Sequence, residues 1–310
     1  MQITNIEFAL GNKTETIQDL GKHNPDWIID KLKDKIGIES RPVIDNNENE
    51  KTLVLDACNK LFHNTDKNNV DGIIHVSQSA FSRLPTSACI IQDEIGLPKN
   101  LMAFDLIQGC SGFVYGLSAA TAMMQQNALK KVLIVCADTY SKYIPLNDRT
   151  NRPIFADGAA AAIVENTGEG SIGPFSFFTD GSGGDLLTLQ EKNGGEKLFM
   201  DGKQVLKFSV REVPKVFDNL LSKAHLEKRD IDLFVFHQAS AVILRQLKNK
   251  LNIPDEKWFQ NIKNIGNTVS ATIPIAIKQA IDGGLYKKNM NIMLMGFGVG
   301  LSVAGCILKS

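Results

Sequence analysis

The sequence predicts an α/β protein built from two similar halves, and three observations carry that expectation. Short apolar runs rich in β-branched residues, such as Lys131-Val-Leu-Ile-Val-Cys-Ala137, alternate with segments of helical spacing. Two turns of small residues, one at Cys110 and one at Asn267, each open an apolar helix that is followed by a strand. The intervals are close: 21 residues from Cys110 to Lys131 and 24 from Asn267 to Asn291. Strands alternating with helices imply a mostly parallel sheet. A repeated plan implies pseudo-twofold packing, with both turns brought to the same place.

In chain order, residues 45–51 (Asp-Asn-Asn-Glu-Asn-Glu-Lys) form a solvated loop, and 52–63 carry helical spacing. Val70–Val76 is a strand and 86–96 a helix. The segment around Phe104 is a strand, followed by the turn at Cys110 and a helix to about Gln126. Lys131–Ala137 and Ala159–Val164 are short buried strands. The second half follows with a strand from Ile231 that ends at His237 and a helix over 240–251. Next come the turn around Asn267 with its helix, a strand over Asn291–Met295, a glycine-rich turn at Gly296–Gly300 and a final strand over Ser302–Lys309.

Composition narrows the function. The chain has 310 residues, 43% of them hydrophobic, which is enough for a large core and excludes disorder. Lys plus Arg and Asp plus Glu both number 34, so no global charge favours nucleic acid, and a charged partner must be drawn by a local patch. The five cysteines include no CxxC pair and no metal-finger spacing, as expected of a reduced, cytoplasmic compartment. The N-terminus lacks the pattern of a signal peptide, and no apolar run reaches the roughly 18 residues of a membrane span.

Few residues suggest chemistry. A cysteine at a helix start gains thiolate character from the unpaired N–H groups and the helix dipole, and its own N–H can face an oxyanion. Packing is the commoner role of a lone cysteine, so both readings of Cys110 stand at this level. His237 ends a strand, the edge where parallel sheets carry catalytic groups. Asn267 lies in a Gly-Asn turn that alone is ordinary capping chemistry but mirrors Cys110 in the repeat. Gly296-Phe-Gly-Val-Gly300 is no dinucleotide loop, because neither a crossover helix nor a later acidic residue follows it. Asp180-Gly-Ser-Gly-Gly-Asp185 is a plain loop. Lys203, Lys207, Arg211 and Lys215 recur every four residues, a basic stripe on a helix that Pro214 ends or kinks before Lys215. The stripe is either a solvated face or a dock for an acidic partner.

Taken in order, these residues resemble the β-ketoacyl-acyl carrier protein synthase III family of the thiolase superfamily. Cys110 in Gly-Cys-Ser-Gly-Phe resembles the family nucleophile, His237 in His-Gln-Ala its histidine, and Asn267 in Gly-Asn-Thr its asparagine. Phe155-Ala-Asp-Gly-Ala resembles the family's Phe-Gly-Asp-Gly-Ala, and Gly296–Gly300 its oxyanion-hole turn. The resemblance implies a thiolase-like fold: two similar βαβ-type halves with mixed five-stranded sheets, layered around central helices. The nucleophile would lie in a half spanning 1–165, and the histidine and asparagine in one spanning 166–310. It implies a homodimer, and coenzyme A contacts at Trp27, Lys35 and Arg149. It places Phe155 and Leu84 at the acyl pocket, with Leu84 reaching the neighbour's pocket, and Lys207 at the carrier protein beside Lys203 and Arg211. Ser240 and Val242 replace a usual Asn and Arg, Ala156 and Val299 replace glycines, Val303 a Trp and Leu84 a Phe, which suggests a pathway-specific paralogue.

The implied chemistry is a decarboxylative Claisen condensation. Cys110 takes an acyl group from acyl-CoA, and the N–H groups of Cys110 and Val299 hold the oxyanion. Malonyl-acyl carrier protein then loses CO₂ while His237 and Asn267 hydrogen-bond its thioester oxygen, and the carbanion attacks the acyl-enzyme. No metal or redox cofactor is required, and neither nucleic acid nor a membrane is a partner. Transfer of the acyl group to an alcohol, an amine or another non-malonyl nucleophile uses the same first step. A pure binding module would leave the three residues without purpose.

Overall fold

The computed structural model describes residues 1–127, 129–192 and 194–310. The first half comprises β1 (Gln2–Leu10), β2 (Lys13–Thr16), α1 (Ile17–His23), α2 (Ile29–Ile36), β3 (Ser40–Val43), α3 (Glu50–His63), β4 (Gly72–Val76), α4 (Ser87–Glu94), β5 (Met102–Leu106), α5 (Gly112–Asn127), β6 (Lys131–Thr139) and β7 (Asp157–Glu165). The second comprises β8 (Ser171–Thr179), β9 (Leu187–Glu191), β10 (Glu196–Met200), α6 (Gly202–Ala224), β11 (Leu233–Phe236), α7 (Ala241–Lys250), β12 (Trp258–Phe259), α8 (Ile262–Ile265), α9 (Thr272–Asp282), β13 (Asn291–Gly298) and β14 (Ser302–Lys309).

Each half builds one five-stranded sheet, in the orders β1-β7-β6-β4-β5 and β8-β14-β13-β11-β12. The two orders superimpose strand for strand, so the repeat read from two turns extends to the whole topology. In both, the three inner-to-far strands are parallel and the two on the other side antiparallel. The sheets are therefore mixed, not mostly parallel as strand–helix alternation alone implied. The difference comes from β7 and β14, which follow β6 and β13 without an intervening crossover helix and so return antiparallel, and from β1 and β8, which pair antiparallel on their outer edges.

Both faces of the sheets are buried, which is why their strands are nearly continuous apolar runs. In β6, Val132, Ile134 and Cys136 face a central layer made of α5 and α9, while Leu133, Val135 and Ala137 face α3 and α4. On the second sheet, Leu233, Val235, Ile292 and Leu294 face the same central helices, and Phe234, Phe236, Met293 and Met295 face α6 and α7. The helices that follow the Cys110 and Asn267 turns are thus the middle of the molecule.

Two local expectations change. The loop at 45–51 ends earlier than its polarity suggests: Asn49 caps α3 through the backbone of Thr52, and Glu50 is buried with Oε1 3.1 Å from Nε2 of His75. Pro214 neither ends nor breaks α6. Proline removes the N–H that would bond the carbonyl four residues back, and Lys250 Nζ takes over that carbonyl, on Val210, at 2.9 Å.

The chain ends and the link between the halves meet. The Met1 amino group is 3.5 Å from the carbonyl oxygen of Gly170, and a Cβ on Gly170 would sit 2.6 Å from the carbonyl oxygen of Lys309 and 3.3 Å from Cβ of Gln2.

Candidate active site

Cys110 stands in the turn between β5 and α5 and is 5% exposed. The turn closes with the Gly112 N–H on the Gly109 carbonyl at 2.7 Å. The end of β13 lies directly against it. A Cβ on Gly296 would fall 2.6 Å from Ser111 Cα, and one on Gly298 would fall 2.8 Å from Cys110 Sγ. Glycine here is a matter of clearance for the sulfur. The expected glycine-rich turn is accordingly the last part of β13, and the chain reverses only at 299–301.

The N–H groups of Val299 and of Cys110 itself are directed at the sulfur and favour its thiolate. Burial, and next the charge of Asp138, act the other way and push the thiol up to about 12. The expectation of a lowered pKa fails here, because desolvation outweighs the donors at the helix start. Asp138, at the end of β6, is fully buried and itself pushed up to about 7, by burial first and Glu50 second. It accepts from Ser270 Oγ (2.6 Å), from the Ser270 N–H (3.1 Å) and from the Gln78 N–H (3.0 Å). It therefore ties the Cys110 sheet to the turn that carries Asn267. Sequence reading missed it, although an acid at a strand's C-terminal end was a usable signal.

His237 follows β11 and is 1% exposed, its N–H bonded to the Met295 carbonyl at 2.8 Å. The Phe297 ring meets its imidazole edge to face at 5.5 Å. Nδ1 lies 2.6 Å from Thr272 Oγ1. Burial lowers the pKa to about 3, so the ring is neutral at physiological pH.

Asn267 is 4% exposed and clamped by the Phe155 motif. Its N–H bonds the Ile154 carbonyl at 3.0 Å, and its carbonyl accepts the Ala156 N–H at 2.9 Å. Its side-chain Oδ1 accepts the Val269 N–H at 2.9 Å, and Nδ2 lies 3.4 Å from the Ala239 carbonyl, just after His237. Val269 has φ +55°, a left-handed conformation that costs a β-branched residue of order 1–3 kcal/mol. That conformation turns its N–H onto Asn267. Asp157 anchors the motif from below, accepting the N–H groups of Ile44 (2.8 Å) and Ser141 (3.0 Å).

Cys110, Phe155, Tyr140, Ile144 and Val269 share one apolar cluster. Tyr140, unanticipated from sequence, stacks at a tilt on Phe155 (5.3 Å) and donates from its hydroxyl to Gln78 Oε1 at 2.8 Å. The two turns are thus brought together, with the histidine edge beside them. A buried sulfur with two N–H donors, a neutral imidazole and an oriented carboxamide can perform acyl transfer with stabilisation of an oxyanion.

Comparison with known proteins decides the family. Two family models, described as 3-oxoacyl-[acyl-carrier-protein (ACP)] synthase III and its C-terminal counterpart, match residues 104–181 and 221–310. The chain belongs to the 3-oxoacyl-[acyl-carrier-protein] synthase III family. It is 34% identical over 92% of its length, and 90% of the relative's, to the beta-ketoacyl-[acyl-carrier-protein] synthase III of Clostridium tetani (strain Massachusetts / E88). A crystal structure of a 3-oxoacyl-(acyl-carrier-protein) synthase III aligns with TM-score 0.93 at 37% identity, covering 100% of this chain and 99% of that one. The priming β-ketosynthase of the R1128 polyketide pathway aligns with TM-score 0.94 at 26% identity, covering 99% and 95%. The thiolase-like fold with two mixed sheets is that of these synthase III structures.

The peripheral residues inferred from the family fall less neatly. Lys35 and Arg149 are exposed. Trp27 is 8% exposed and belongs to the same apolar cluster as Ile17 and Leu20. Leu84 is 94% exposed and stands apart from the Cys110 cluster of its own chain. On α6, Lys203 and Lys207 are exposed, but Arg211 and Lys215 both pair with the buried Glu212, the latter at 3.0 Å, so this one carboxylate offsets one of the stripe's four charges. No helix among the described residues is long and apolar enough to cross a membrane.

Proposed function

We propose that the protein condenses an acyl-CoA with malonyl-acyl carrier protein through an acyl-Cys110 intermediate, releasing CO₂ and a 3-oxoacyl-carrier protein. The convergence of the Cys110 turn, with two N–H groups on its sulfur, and the Asn267 turn beside His237 carries this reading. Cys110 sulfur attacks the thioester carbonyl, the C–S bond to coenzyme A breaks, and the thiol proton leaves with coenzyme A. The N–H groups of Cys110 and Val299 stabilise the intermediate oxyanion. In the second step the malonyl C–C bond breaks, its electron pair moves into an enolate, and His237 Nε2 and Asn267 Nδ2 donate to the enolate oxygen. The enolate carbon attacks the acyl carbonyl, and Cys110 departs as thiolate and is reprotonated by solvent. Thioester condensation driven by decarboxylation needs no redox carrier.

Lys35 and Arg149 serve coenzyme A at the surface. Lys203 and Lys207 meet the acidic carrier protein. Phe155 lines the acyl pocket of its own chain, and Leu84 that of a partner copy. The two halves divide near residue 165, where the first sheet ends and the second begins. A dimer through β5 fits that edge strand and the exposed Leu84 and Ile107. The five free cysteines suit a reduced cytoplasm. Intact-mass spectrometry after exposure to acyl-CoAs tests the core of the reading. Wild type gains one acyl mass that malonyl-carrier protein removes as a 3-oxoacyl product, and Cys110→Ala gains none. Release by a small alcohol or amine instead would replace condensation with simple acyl transfer.

A further inference from the structure

His237 is asked to donate from Nε2, and a neutral imidazole has only one N–H. Which nitrogen carries it depends on the partner of Nδ1. That partner is Thr272 Oγ1, 2.6 Å away, on the first residue of α9 and 2% exposed. The hydroxyl has one hydrogen and two neighbours: Nδ1, and the Val269 carbonyl at 3.1 Å. Two observations decide between them. The Val269 carbonyl already accepts the backbone N–H of Thr272, so it keeps a partner when the hydroxyl turns to Nδ1. A contact of 3.1 Å is long for O–H···O, which clusters near 2.7–2.8 Å, while 2.6 Å suits a hydroxyl donating to a strong acceptor and is short for N–H···O.

We infer that Thr272 is a positioning residue that donates its hydroxyl hydrogen to Nδ1 and so fixes His237 as the neutral Nε2–H tautomer. The ring is held from three sides: by the Thr272 hydroxyl, by the Phe297 ring at 5.5 Å, and by its own backbone bond to Met295. Nε2 is then a permanent donor aimed at the enolate oxygen. It has no lone pair with which to take the Cys110 proton, so the imidazole serves decarboxylation more than acylation. This inference rests on the condensation proposed above and assigns the residue that equips His237 for it.

The test joins a spectroscopic and a kinetic measurement on the full-length protein. Nitrogen NMR of protein labelled in its five histidines, with His237→Ala used to assign the signal, reads the tautomer directly. The expected result is an unprotonated, hydrogen-bonded Nδ1 and a protonated Nε2. In Thr272→Val, which keeps the shape and removes the hydroxyl, the pattern moves toward a mixture of tautomers. Malonyl decarboxylation falls at least about tenfold, and by up to about 10⁴-fold if the wrong tautomer comes to dominate, while Cys110 acylation falls much less. Thr272→Ser recovers most of the lost rate. A proton on Nδ1 in wild type overturns the inference even if condensation proceeds normally. An equal loss of both half-reactions in Thr272→Val, unrelieved by serine, also overturns it, as that marks a packing defect. Wild-type protein that is acylated but never decarboxylates malonyl-carrier protein removes the donor role itself and with it the proposed function, whatever the tautomer.

Discussion

At the scale of single residues, the site is a contest between desolvation and aimed donors. Cys110 is surrounded by two N–H groups, yet its burial and Asp138 hold the proton on sulfur. Alkylation of the free enzyme by iodoacetamide should therefore rise about tenfold per pH unit from pH 7 to 10 without a plateau, since reactivity follows the thiolate fraction. A plateau below pH 8 would mean that the donors prevail. Cys110, His237 and Asn267 could be singled out in the sequence as turn and strand-end residues, but only their order and the motifs around them pointed to chemistry. Asp138, Tyr140 and Thr272 could not be, because what matters about them is a partner distant in sequence. Asp138 acts on Ser270, and Tyr140 on Gln78, across 132 and 62 positions. Trp27, whose motif context resembles a nucleotide contact, packs with its body in an apolar cluster, which the sequence alone did not show.

At the scale of elements, α6 shows how far pattern reading reaches. The four-residue spacing of its basic residues was right, and so was the helix. Neither the carbonyl that Lys250 relieves at Pro214 nor the buried Glu212 that consumes Arg211 and Lys215 could be seen from spacing. The attraction for an acidic carrier protein is therefore strongest at Lys203 and Lys207, with one net positive charge left among Arg211, Glu212 and Lys215. Reversing both to Glu should slow the carrier-protein half-reaction by about tenfold at low salt, with the deficit shrinking as salt screens it, and leave acylation by a CoA thioester near wild type. Stopped-flow rates for each half-reaction across ionic strength would check this, and an unchanged salt dependence would return the helix to the role of a solvated face. Strand direction was likewise invisible: β7 and β14 read as ordinary buried strands, and only their connections make them antiparallel.

At the scale of the whole molecule, the first sheet ends in an edge strand, β5, and two apolar side chains are widely exposed, Leu84 (94%) in the loop between β4 and α4 and Ile107 (79%) just past β5. Apolar side chains so placed favour association of two copies edge to edge. Sedimentation at micromolar concentration should find a dimer, and Leu84→Asp together with Ile107→Asp should shift it to monomer. A wild-type monomer would leave Leu84 without a pocket to enter. The repeat itself was legible from two turns and two intervals, because each turn must open a helix apolar enough to occupy the central layer. The added strands at each sheet's edge left no such mark.

The meeting of Met1, Gly170 and Lys309 has a consequence for gene order. The two halves could be exchanged in sequence without moving an atom of the site. A circular permutant that joins Ser310 to Met1 by a few glycines and opens the chain between Gly168 and Gly170 would be translated histidine half first. It should fold to the same sheets, since the cut falls in an exposed link and the new joint spans a short gap. Acylation of its cysteine at the wild-type rate would show that the order of the halves along the chain is historical and that only their apposition is chemical.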